Sequence, residues 1–150
     1  MTEQKFKRKK VLVTGAASGI GQAQAQAFLQ AGAEVIGVDL QEFTADFKTI
    51  VCDVSCPEKV AQLAAHVGEI DILLNTAGQL DDYRAIENTD FSLWKKILAT
   101  NLDSMFLMTS AFLPHMKQKK SGVVINMASV AGLVAGGGGI AYTASKHAIV

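Results

Sequence analysis

Proline and cysteine are scarce in this 150-residue chain, with two of each, and there is no run of about 18 uninterrupted apolar residues. The first shortage excludes a collagen-like or disulfide-scaffold chain; the missing apolar run excludes a transmembrane helix, so no membrane partner is expected. Aromatic residues make up only 7% of the chain. The bases do not interleave with them as a nucleic-acid surface requires, and no nucleic-acid partner is expected. Net charge is missing too, since 14 Lys and Arg meet 14 Asp and Glu. What is present is 49% hydrophobic, enough at this length for one globular domain that buries about 68–70% of its unfolded surface. Cys52 and Cys56 fit a reducing compartment, and His66, His115 and His147 offer no obvious metal-ligand set. No apolar segment follows the N-terminal bases, so the expected location is cytoplasmic.

The charges are unevenly placed. Residues 1–10 hold five bases and one acid, residues 11–94 three and twelve, and residues 95–150 six and one. Lys5, Lys7, Arg8, Lys9 and Lys10 read as a solvated tail. An apolar run at 11–13 ends in Thr14-Gly15 and an alanine-rich stretch follows at 20–31, which is strand, glycine turn and helix. A second strand, 33–38, ends at Asp39 and needs a parallel partner because a helix precedes it. Residues 41–48 are too few for a crossover helix, so a loop or single turn is expected before the third strand at 49–52. Pro57 opens a helix to Val67, and a fourth strand spans 70–74. Asp90 or Thr89 caps a long helix, 91–119, which Pro114 should bend or interrupt. Its stretch from Met105 to Leu113 is apolar nearly all round and demands a further cover. A fifth strand at 123–127 and a glycine loop at 136–139 lead to a helix from about Ala141. The fold class is α/β, a doubly wound parallel, Rossmann-like sheet with five strands present. A last helix with no following strand is unusual. Residues 1–150 are therefore expected to be one dinucleotide-binding domain, C-terminally truncated, with no second domain.

Each strand ends in a polar or glycine feature, where ligands of open α/β sheets bind. After the first strand come Thr14-Gly15-Ala16-Ala17-Ser18-Gly19-Ile20-Gly21, whose glycines allow close approach to a pyrophosphate met by helix N-terminal amides. A turn without a ligand is the alternative. No Gly-Lys-Ser/Thr closes it as in a P-loop, and no Gly-x-Ser-x-Gly elbow occurs. Asp39 follows Gly21 by eighteen residues, where a carboxylate accepts both hydroxyls of an adenosine ribose. The same charge repels a 2′-phosphate, and Ala16, Ala17 and Leu40 supply no cation, so NAD is expected and NADP disfavoured. An exposed turn aspartate is the alternative. Asp53, with Val54 beside it, either accepts from an adenine amino group or caps the next helix. Asn75, Ala77 and Gly78 end the fourth strand, and Ser129 lies beyond the fifth. Tyr142 and Lys146, four apart, share a helix face, so that the ammonium and the helix N-terminus both favour the phenolate. Alone, Tyr-x-x-x-Lys usually means surface packing. Its weight comes from Ser129, thirteen residues upstream across the glycine loop.

From about residue 9 to its end the chain resembles the short-chain dehydrogenase/reductase family. The resemblance rests on Thr14-Gly15-x-x-x-Gly19-Ile20-Gly21, Asp39, Asp53, Asn75-x-Ala77-Gly78, and a set of Asn101, Ser129, Tyr142 and Lys146. It departs at Thr76, which stands where a second Asn is often seen, in the helix-free link at 41–48, and in lacking the family's last two strands and substrate lid. The resemblance implies an NAD(H)-dependent oxidoreductase acting on a ketone or secondary alcohol. Tyr142 would be the proton donor, Ser129 would hold the substrate oxygen, Lys146 the nicotinamide ribose, and Asn101 a relay water. The nearest subgroup is the 3-oxoacyl-acyl-carrier-protein reductase type, for which Lys117, Lys119 and Lys120 would dock an acidic carrier; a solvated helix end explains them equally. The partners expected are a small-molecule or carrier-bound carbonyl substrate and a second copy of the chain, docked through helix 91–119 and the helix of Tyr142. A non-catalytic dinucleotide-binding module is the other reading.

Overall fold

The structure, a computed structural model, describes residues 4–150. Its strands are β1 (Lys10–Thr14), β2 (Glu34–Asp39), β3 (Lys48–Val51), β4 (Ile72–Asn75) and β5 (Val123–Asn126). Its helices are α1 (Gly19–Gln30), α2 (Pro57–Val67), α3 (Phe91–Leu98), α4 (Ser104–Gln118) and α5 (Ile140–Ile149). All strand pairs are parallel, in the order β3-β2-β1-β4-β5. Successive residues of β1 feed opposite faces: Leu12 packs with Ile36, Val38 and Leu73, whereas Val11 and Val13 pack with Val35, Ile72 and Leu74. A strand buried on both faces must read as an unbroken apolar run, as Val11-Leu12-Val13 does. Ala25 and Phe28 of α1 cover one face; Val60 and Leu63 of α2, with Met108 and Phe112 of α4, cover the other. From β1 the chain builds outward through β2 and β3, then returns to β4 on the other side. That reversal opens a crevice at the carboxyl ends of β1 and β4, the usual ligand position in such sheets.

The long helix expected over 91–119 is divided, and not at Pro114. Asp90 caps α3 by accepting from the Leu93 amide at 2.8 Å, but a π-helical segment, Ala99–Asp103, separates α3 from α4. Pro114 lies inside α4. A proline removes one amide donor, and here Phe112 and Met116 on either side of it are buried and hold the helix on the sheet. The π segment has a different cause: it turns Asn101 into the interior, where its amide is fully bonded.

The N-terminal bases are mostly exposed, as expected, but the backbone that carries them is tied to the domain. Phe6, one apolar residue among five bases, packs edge-on against Phe28 with ring centroids 4.8 Å apart, and its amide donates to Ala31 O at 3.1 Å. Lys10 Nζ donates to Val67 O at 2.7 Å. The segment is anchored at Phe6 and Lys10, while Lys5, Lys7, Arg8 and Lys9 are exposed. The link at 41–48 is a loop, as expected, and two rings stand in for the absent helix. Phe43 and Phe47 lie over Gly37, where an added Cβ would come within 2.5 Å of the Phe47 ring.

Candidate functional site

A cleft of about 880 Å³ opens at the carboxyl ends of the strands, within the range of small-molecule and cofactor sites. Of the residues singled out in the sequence, it is lined by Gly15, Ser18, Gly19, Ile20, Gly21, Asp39, Asp53, Val54, Ala77, Gly78, Ser129, Tyr142 and Lys146. Asn75 and Asn101 do not line it; both stand behind the wall. The Asn75 amide donates to Asn126 Oδ1 at 2.9 Å and Thr109 Oγ1 at 3.3 Å, tying β4 to β5 and α4. Asn101, fully buried, accepts from the Gln79 amide at 2.7 Å and donates to Gln79 O and Ser145 Oγ, both at 3.0 Å.

The β1–α1 turn fits a diphosphate. Gly15 has φ +69° and a Cβ on it would stand 2.9 Å from Ala77 Cα; a Cβ on Gly21 would collide with Gly15 O. Nothing but glycine fits either place. Ser18 makes no side-chain cap to α1, and the first turn carries no acid, so the first-turn amides and the positive end of the helix dipole are left for an anion. Thr14 braces this turn from beneath: its Oγ1 accepts from the amides of Thr76 and Ala77, each at 3.0 Å. Thr76 hydroxyl donates to Gln24 Oε1 at 2.6 Å, which ties the β4 loop to α1.

Asp39 and Asp53 stand on the neighbouring wall. Asp39 Oδ2 accepts from the Ala17 amide at 3.0 Å and Oδ1 from the Gln41 amide at 3.2 Å; each oxygen keeps a lone pair for a hydroxyl. Asp53 is not a helix cap, since Cys56 holds that position. Its Oδ1 accepts from Ser55 Oγ at 2.6 Å and the Ser55 amide at 3.0 Å. The Ser55 hydroxyl, ahead of the opposing effect of burial, holds this carboxyl below its usual range. Between the two acids, burial pushes the Cys52 thiol up, helped by the charge of Asp53.

On the far wall, Lys146 is 3% exposed. Its ammonium donates to Met127 O at 2.7 Å and lies 5.6 Å from the centre of the Tyr142 ring, which is within cation–π reach. Burial lowers its pKa. Ser129 Oγ accepts from the Ala131 amide at 3.2 Å; with that lone pair taken, the O–H remains to donate into the cleft. A phenol, a hydroxyl and an ammonium thus face one space beside a dinucleotide cradle, which suits proton transfer to an oxygen next to a bound cofactor.

Three residues escaped the sequence reading. Asp81 is a buried carboxylate bonded to the start of α5, Gln24 holds Thr76, and Asp71 knits the opposite end of the sheet. A signal for Asp81 existed: the helix of Tyr142 starts after Gly139, which has no side chain to cap it, so an acceptor must come from elsewhere.

The family model described as short chain dehydrogenase matches residues 9–150. The short-chain dehydrogenase/reductase cdmF of Talaromyces verruculosus is 37% identical, over 93% of this chain and 59% of its own length. The 3beta-hydroxysteroid dehydrogenase 2 of Eggerthella lenta is 35% identical, over 93% of this chain and 60% of its own. Among solved structures, a short-chain dehydrogenase from Streptomyces avermitilis superposes with TM-score 0.90 at 33% identity, covering 95% of this chain and 57% of that one. Thermoplasma acidophilum aldohexose dehydrogenase gives 0.86 at 31% identity, covering 95% and 58%. The chain spans under two thirds of the length of these relatives.

Proposed function

The chain belongs to the short chain dehydrogenase family, and on that premise we propose that it is the cofactor-binding and catalytic part of an oxidoreductase that interconverts a ketone and a secondary alcohol with NAD(H). The observation that carries the reading is the convergence of Ser129, Tyr142 and Lys146 on the same cleft as the glycine turn and Asp39. When bound, the nicotinamide supplies or accepts the hydride. The protein's own residues do the rest. The first-turn amides of α1 hold the diphosphate, and Asp39 accepts from ribose hydroxyls while repelling a phosphate at the 2′ position, which favours NAD over NADP. In reduction the Tyr142 phenol gives its proton to the substrate oxygen, and in oxidation it takes the proton back. The Ser129 hydroxyl donates to the same oxygen and stabilises the charge that develops there. Lys146, with N–H groups left over from Met127 O, serves the phenol and the ribose together. Asn101 fixes the shape of the wall through Gln79 and Ser145.

Nothing in the geometry favours the acyl-carrier substrate. Lys119 Nζ donates to Ile70 O at 2.8 Å and Asp71 Oδ1 at 3.1 Å, at the amino end of the sheet, opposite the cleft. The test is NADH-linked reduction of a ketone panel by the full-length protein, paired with Tyr142→Phe. The variant is expected to lose about 10²–10⁴-fold in kcat, the usual worth of a general acid, with NADH affinity nearly unchanged. Retention of a tenth of the activity would show that another group gives the proton.

A further inference from the structure

Asp81 is 1% exposed and lies in the loop after β4, far in sequence from α5. Its Oδ1 accepts from the Gly139 amide and its Oδ2 from the Tyr142 amide, each at 2.9 Å. Gly139 is the residue that precedes the first turn of α5, and Tyr142 is the third residue within it. A side chain at the first of these positions normally accepts from the amide at the second; Gly139 has none, and Asp81 performs that bond from another segment. The glycine is required by the arrangement: a Cβ there would lie 2.5 Å from both Asp81 oxygens and 2.6 Å from the Arg84 amide. The attachment is doubled, because Ile140 N donates to Arg84 O at 3.1 Å. Between the two attachment points the chain makes a tight turn closed by Arg84 N to Asp81 O at 3.2 Å, with Asp82 and Tyr83 at φ +54° and +57°. Two successive non-glycine residues in the left-handed region are disfavoured, and such strain persists where flanking contacts impose it.

We propose that Asp81 is the positioning residue of the proton donor: its carboxylate fixes the first turn of α5 and so sets the Tyr142 phenol against Ser129 and Lys146. This rests on the oxidoreductase reading of the cleft. Lys146, one turn further on, has its own tether to Met127 O, and the middle of α5 is held by Asn101 through Ser145 Oγ at 3.0 Å. Loss of the Asp81 bonds therefore frays the turn of Tyr142 while leaving Lys146 and the β1–α1 cradle in place. A displacement of about 1 Å in a reacting group costs on the order of 10²-fold in rate.

The test uses the full-length protein, with a ketone that the wild type reduces. Asp81→Ala is expected to lower kcat about 100-fold and to leave the NADH dissociation constant, read by fluorescence, within about threefold. Asp81→Asn, able to accept only one of the two amides, should fall between Asp81→Ala and wild type, and Gly139→Ala should reproduce the Asp81→Ala loss with the carboxylate still present. A kcat within threefold of wild type for Asp81→Asn and Asp81→Ala overturns the proposal. So does a rise in the NADH dissociation constant in step with the fall in kcat, the mark of general loss of fold. If Asp81→Ala does not fold, Asp81→Asn decides by the same two readings. Hydrogen exchange at the Gly139 and Tyr142 amides, slow in wild type, is expected to become fast at one of the two in Asp81→Asn and tests the tether without activity; wild-type exchange at both overturns it. A wild-type protein inactive on every carbonyl, with that exchange difference intact, would sink the oxidoreductase reading instead.

Discussion

Both carboxylate oxygens of Asp39 are engaged by backbone amides, Ala17 on one side and Gln41 on the other, so substitution there acts on cofactor choice and on stability together. Leu40 beside it is 65% exposed and an arginine in its place costs no burial. Asp39→Ala with Leu40→Arg is expected to shift the ratio of NADPH to NADH affinity by at least about tenfold, the equivalent of ~1.4 kcal/mol from one charge-assisted contact and one removed repulsion. The same change frees two amides, each bond being worth about 0.5–1.5 kcal/mol, and the melting temperature should fall by about 2–4 °C per kcal/mol lost. Dissociation constants for both cofactors and a thermal melt read the two effects separately. Tighter NADPH than NADH binding by the unaltered chain would refute the role of Asp39.

At the scale of the element, the amino end of the sheet is knitted by Asp71. Its Oδ2 accepts from the Lys10 amide at 2.9 Å, its Oδ1 from Lys119 Nζ at 3.1 Å, and Lys9 stands 3.6 Å away. The backbone of the same residue bonds Lys10 O and the Val123 amide, so β1, β4, β5 and the end of α4 meet there. Burial pushes this carboxyl up, but the Lys10 amide and the two lysines outweigh it and the net shift is downward. A carboxyl lowered by folding contributes stability above its unfolded pKa, about 3.9, and loses it as pH falls through the lower folded value. Asp71→Asn is therefore expected to cost about 1–2 kcal/mol at pH 7, with the gap to wild type closing below about pH 4. Urea midpoints from pH 3 to 7 would show it, and a gap of equal size at both ends would contradict it. α3 and α4 make the complementary case. Their apolar pattern is continuous, and only the inward turn of Asn101 divides them.

At the scale of the whole molecule, α3 and α4 leave apolar surface facing outward: Phe106 is 70% exposed, Phe91 71% and Leu113 39%, while Met105, Met108 and Phe112 are buried. Fully burying one such side chain is worth about 1.5–3 kcal/mol, and closed symmetric assembly is the common way to do it. The protein is expected to form a homo-oligomer through this face, dissociated by Phe106→Glu. Light scattering at micromolar concentration reads both; a monomeric wild type would rule the interface out.

Local features of this chain were legible without coordinates because they are set by neighbours in sequence. The apolar run at 11–13, the glycines at 15, 19 and 21, the acid at 39 and the Tyr142-Lys146 spacing each encode a backbone angle, a burial period or a shared helix face. Together they fixed the doubly wound sheet and the wall on which the cleft residues stand. The contacts that tertiary structure alone decided join residues far apart: Asp81 with Gly139 and Tyr142, Asn101 with Gln79 and Ser145, Asp71 with Lys10 and Lys119, Phe6 with Phe28. A buried polar group must find a partner, but its own sequence does not say which. That choice is made when strands, loops and helices close on one another, and the lysines read as a docking patch or a solvated helix end include one spent on Asp71 for this reason.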